Sequence, residues 1–119
     1  MADEPIAMLV ALSRKRLDMI AEDPDVVFDL VEARDEPMRG VLNLGSEWRA
    51  LADLAGDALT GEGGQPLDVE IDGVARIFSG PQVRELSQTI PGDQQLDRVR
   101  ALYAEAAAEG HAMLVLLIS

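Results

Sequence analysis

Ala112-Met113-Leu114-Val115-Leu116-Leu117-Ile118 is an unbroken apolar run. A strand with one wet face alternates apolar and polar side chains, so a run without alternation predicts a strand covered on both faces. It falls far short of the ~20 apolar residues that a membrane-spanning helix needs. Ile6-Ala7-Met8-Leu9-Val10-Ala11-Leu12 is a second run of the same kind near the other end of the chain. Two such strands fit most simply side by side in one sheet, with helices against both of its faces. The terminal run is then the centre of the core.

The segment leading into the last strand reads as a helix. Leu96, Val99, Leu102 with Tyr103, and Ala106 recur at helical spacing, while the charged residues lie mostly off that stripe. Asp93 is placed to cap its start, after Pro91, and Gly110 to end it in a left-handed conformation. Earlier in the chain Ser13 caps a short helix over 14–21. Asp23-Pro24 opens another, with Val26, Val27, Leu30 and Val31 on its inner face. Pro37 closes that helix, and Arg39-Gly40 reads as a loop. Ser46 caps a third helix carrying Trp48, Leu51, Leu54, Ala55 and Leu59, with the single tryptophan as a core anchor. Gly61 to Pro66 is a loop. It lacks the Gly-Lys-Ser/Thr ending of a phosphate loop, and Glu62 would repel a phosphate.

Leu67 to Phe78 carries a hairpin signal. Leu67, Val69 and Ile71 alternate with Asp68, Glu70 and Asp72, and Asp72-Gly73 suits a two-residue turn. That turn sets Leu67 opposite Phe78 and puts Arg76 on an otherwise apolar face, where its stem packs and its head reaches water or pairs with a buried carboxylate. Asp68 and Glu70 then face solvent. Ser79-Gly80-Pro81-Gln82 starts the next helix, through either a Ser79–Gln82 capping box or Gly80 with Pro81 at the first helical position. Val83, Leu86 and Ile90 form its inner stripe. No repeat or linker divides the chain, so 1–119 reads as one domain. The fold expected is α+β: a small mixed sheet with buried N- and C-terminal strands and a hairpin, packed by four to five helices.

Composition narrows the function classes. The formal net charge of −12 argues against a nucleic-acid partner, since affinity there comes from neutralising phosphates. With no cysteine there is neither a disulfide frame nor thiolate chemistry. A zinc site or a Ser-His-acid triad would have to be built on one histidine, His111, and no Gly-x-Ser-x-Gly elbow is present. No cofactor, metal site or membrane partner is expected. The acidic N-terminus lacks the basic region of a secretory signal, which predicts a cytoplasmic protein. Asp25, Asp29, Glu32 and Glu36 share one helical face, a pattern that serves a solvated surface or, with further ligands, a metal. Arg14-Lys15-Arg16 occupies the first turn of a helix, where free N–H groups favour an anion and the cations pair with it or with the protein's own carboxylates.

Two readings of function stay open. One is a non-catalytic interaction module, as a homodimer or toward a basic protein partner, using Asp25, Asp29 and Glu32 or the acidic hairpin face. An inhibitor or immunity-type protein is one version. The other is a small-anion or metabolite binder, or an enzyme, using Arg14, Lys15 and Arg16 with His111. The chain's poverty in catalytic residue types favours the first, and Arg76 is a further binding candidate.

Ala75-Arg76-Ile77-Phe78-Ser79 running into Pro81-Gln82-Val83, and Leu102 to Gly110 before the last strand, resemble the YfbM-like family of bacterial proteins. The segment around Trp48, Leu44 to Leu54, resembles it more loosely. The resemblance implies an α+β fold and a bacterial cytosolic setting, and no reaction. Ala52 stands where relatives often have a histidine, and Ser46-Glu47 where they often have a lysine. Asp57 to Gly73 is shorter than the family's usual middle.

Overall fold

The computed structural model describes residues 6–32, 40–67 and 73–118, with backbone alone at 30–31. At its centre is an antiparallel pair. Strand β1 (Ile6–Leu12) and strand β5 (Ala112–Ile118) run in unbroken register from Ile6 opposite Ile118 to Leu12 opposite Ala112. β2 (Val41–Gly45) pairs with the outer side of β1. β4 (Gly73–Phe78) pairs with the other side of β5, and the short β3 (Gln65–Pro66) closes that edge. The order is β2-β1-β5-β4-β3, so the last strand is the middle one. All four pairings are antiparallel, where the sequence had suggested a mixed sheet.

The unbroken apolar runs are explained by what covers the two faces. Leu9, Ala11, Met113 and Val115 meet one set of helices: α4 (Asp57–Thr60), α5 (Gly80–Thr89) and α6 (Asp97–Glu109). Met8, Val10, Leu12, Leu114 and Leu116 face Ile20 of α1 (Arg14–Glu22) and Val27 of α2 (Val26–Glu32). Each fully covered aliphatic side chain contributes roughly 1.5–3 kcal/mol relative to exposure. A polar residue anywhere in either run would forfeit that gain on one face.

The helix ends follow the residues that start and stop them. The Ser13 hydroxyl accepts the Arg16 N–H, and Asp23 Oδ1 accepts the Asp25 N–H at the start of α2. At α5 the first of the two starts occurs: Ser79 and Gln82 form the reciprocal capping box. Asp93 Oδ1 accepts the Gln95 N–H and opens a 3-10 turn, Gln94–Leu96, that runs into α6. At the far end of α6, Gly110 takes φ +70 and passes its N–H to Ala107 O, while His111 N–H reaches Ala106 O. This paired closure turns the chain directly into β5.

Several expectations are corrected. Val41–Gly45, to which the sequence pattern assigns no element, is the edge strand β2. Ser46 does not cap a helix: α3 (Trp48–Ala55) starts after Glu47, without a side-chain cap. The expected single helix through Leu59 breaks at Gly56, whose φ of 63 and ψ of −131 lie outside helical space. Leu59 therefore sits in α4, buried, while Leu54 is left 40% exposed. Trp48 is only half-buried and stands outside the core; the Arg49 guanidinium lies 5.7 Å from its ring centre. The core's large aromatics are Tyr103 and Phe78.

The hairpin register also differs. Gln65 opposes Ile77, Pro66 opposes Arg76, and Leu67 N–H donates to Ala75 O. Leu67 thus joins Ala75 and Ile77 on the α1 side of the sheet, while Phe78 faces the other way. A three-residue offset reverses the face, because side chains alternate with period two. The Asp72-Gly73 turn and the acidic pair Asp68 and Glu70 lie outside the described residues.

Candidate functional site

Three consecutive residues on a helix step about 100° apart, and α1 shows the consequence for its basic triplet. Arg14 is exposed on the rim of a groove of about 590 Å³ between α1 and the β3–β4 edge. Lys15 borders a smaller groove of about 320 Å³, with Met19, Ile20 and Val26. Arg16 lines that smaller groove too, half-buried, and its Nη1 donates to Ala11 O at 3.2 Å. The triplet therefore does not form one anion cradle.

Arg16 also reaches the other end of the chain. It lines a groove of about 370 Å³ together with Ser13, Glu105, Glu109 and His111. The β1–β5 register causes this: with Leu12 opposite Ala112, the next residue out on one strand lies beside the residue before the other. His111 Nε2 is 3.4 Å from Glu109 Oε2, with the imidazole 25% exposed. The Ser13 hydroxyl oxygen is engaged in capping α1. The groove is thus a meeting of charged side chains around a helix start. Glu105 and Glu109 were not singled out from sequence; their i, i+4 spacing just ahead of His111 is the signal that locates them.

The acidic residues gather as their spacing implies. Asp29 and Glu32 are exposed on α2, Asp25 is exposed just before it, and α1 adds exposed Asp18 and Glu22, with exposed Asp23 at the junction; Glu36 lies outside the described residues. Met19 on α1 and Phe28 on α2 are 45% and 36% exposed. No cluster of three His, Asp or Glu side chains suited to a metal ion occurs among the described residues. Arg76 sits apart from all of these on β4, half-buried. The space beside its stem would be entered by a Cβ at Gly61 or Gly64, 3.5 and 3.2 Å from Arg76 Cβ. Its stem packs against that glycine turn.

No family model matches the chain, and no curated protein matches it either. Among solved structures it is similar to YfbM from Escherichia coli, described as a protein of unknown function. The two share 14% identity at a TM-score of 0.61, over 95% of this chain and 99% of that one. Among the described residues, no helix is long and apolar enough to cross a membrane. At that identity the likeness concerns fold alone, and on fold it agrees with the segments around Arg76 and Tyr103: the chain has the YfbM-like α+β fold.

Proposed function

We propose that this chain is a non-catalytic binding protein that engages a basic protein partner through the α1–α2 surface. The observation that supports this reading is the set of carboxylates at Asp18, Glu22, Asp23, Asp25, Asp29 and Glu32. All are exposed, and the same two helices carry the exposed side chains of Met19 and Phe28. Like charges gathered on one face attract a basic patch from a distance, and exposed apolar side chains among them add contact area once it docks. The net charge of −12 reinforces the steering. An inhibitor or immunity-type protein acting on a basic partner is one form of this reading.

The test is capture of partners from a bacterial lysate by the wild type and by the Asp25→Lys, Asp29→Lys, Glu32→Lys variant. Steered association weakens as the Debye length falls from ~10 Å at 0.1 M salt to ~3 Å at 1 M. The reading expects specific partners at low salt, lost at high salt and lost in the variant. Partners retained in full by the triple variant would sink it.

A further inference from the structure

The 590 Å³ groove between α1 and the β3–β4 edge is distinct from the acidic surface in what it exposes. Leu12, Ile20 and Ala112 are buried beneath it, and Leu17, Leu67 and Ile77 are half-buried along it, which makes its floor aliphatic. Its size falls within the ~300–1,000 Å³ of small-molecule sites, which combine apolar walls with a few placed polar groups.

The polar rim is short, and most of it is already used. Gln82 donates Nε2–H to Gly63 O and accepts the Ser79 N–H, and the Ser79 hydroxyl accepts the Gln82 N–H. Those bonds close the start of α5. Arg14 is the rim's cation. Among the described residues it has no hydrogen bond or ion pair, although Asp18 follows one turn later on the same groove wall. A guanidinium held beside an aliphatic trough matches one ligand shape: an alkyl chain ending in a carboxylate, which pairs with the planar N–H fork in bidentate fashion.

We infer that this groove binds a small amphipathic monocarboxylate of the medium-chain acyl type, its chain along Leu17, Leu67 and Ile77 and its carboxylate on Arg14. Asp18 is the anion facing the site from its own helix, and it limits the affinity. The more distant carboxylates of this acidic chain act weakly at 0.15 M salt, where the Debye length is ~8 Å. The site shares Asp18 with the acidic surface but none of Asp25, Asp29 and Glu32, the residues changed in the test of that surface.

The experiment uses octanoate and its neutral counterpart octanol as probes, titrated into the full chain at 0.15 M salt. Calorimetry reads affinity, and amide shifts at Leu17 and Ile77 report where each probe sits. Wild type is expected to bind octanoate several-fold more tightly than octanol, at these residues. Arg14→Gln is expected to remove that preference, weakening octanoate about two- to fivefold, the size of a lost ion pair at an exposed site. Lys15→Gln makes the same change in net charge outside the groove and should leave octanoate affinity unchanged. Leu67→Ser should weaken both probes alike. Thermal melts of each variant separate lost binding from lost folding, and Arg14, being exposed, tolerates the change. Octanoate binding that does not saturate, that maps elsewhere, or that falls equally in Arg14→Gln and Lys15→Gln would overturn the assignment.

Discussion

Tyr103 ties two helices that no local rule would join. It is fully buried on α6, and its hydroxyl donates to Ala58 O on α4 at 2.5 Å. The phenol is amphipathic, so one residue fills the core and satisfies a carbonyl that would otherwise be buried without a partner. Tyr103→Phe keeps the ring and strands that carbonyl, at an expected cost of about 1–3 kcal/mol in chemical denaturation. Burial also pushes the phenol's pKa well above its ordinary value. The neutral form is therefore favoured in the folded state, and the sign follows. This contribution is constant below the unfolded pKa of roughly 10 and is lost as pH rises further. Urea midpoints measured between pH 8 and pH 11 should show a fall above about pH 10 in wild type that is smaller in Tyr103→Phe. Trp48, half-buried and outside the core, should behave differently: Trp48→Ala should cost less than Tyr103→Ala, for which about 3–5 kcal/mol is expected.

At the scale of elements, the informative places are those where a helix or strand stops. Gly56 separates α3 from α4 with a backbone conformation that a side chain resists. Gly56→Ala should cost about 1–3 kcal/mol, read from the melting transition, even though a built Cβ there would touch nothing within 4 Å. A near-neutral result would show that α3 and α4 can adjust to a continuous helix. β5 is the opposite case, an element with no substitute. It pairs with both β1 and β4, so a chain ending at Met113 removes most of two ladders and should be insoluble on expression. Soluble, cooperatively melting protein would show that the sheet closes without it.

Over the whole molecule, two apolar clusters share one sheet. Met113 belongs to the cluster under α4, α5 and α6, and Leu116 to the cluster under α1 and α2, only three residues away on β5. A chain whose two half-cores are bonded through the same strand should unfold as one unit. Met113→Ala and Leu116→Ala should each destabilise by about 2–5 kcal/mol and shift a single transition. Two separable transitions in either variant would mean that one helical layer melts off a sheet that survives.

The amino-acid sequence by itself determined the parts governed by near neighbours. Unbroken apolar runs specified interior strands, Ser13 and Ser79 specified helix starts, and Gly110 specified a helix end, because caps and periodicity act over a few residues. The side-by-side placement of the terminal strands was legible too, since each run needed cover on both faces. Tertiary structure alone decided the rest. Whether Trp48 or Tyr103 anchors the core depends on which helix face meets the sheet. The β3–β4 register, three residues off the one that a two-residue Asp72-Gly73 turn implies, puts Leu67 in the cluster under α1. The candidate sites divide in the same way. Asp25, Asp29 and Glu32 are exposed in and just before one helix, while Arg14 lines a different groove from adjacent Lys15 and Arg16 because the helix rotates it away. Arg16 and His111 meet for a reason no local pattern contains: antiparallel pairing of the two terminal strands brings the residues flanking Leu12 and Ala112 together.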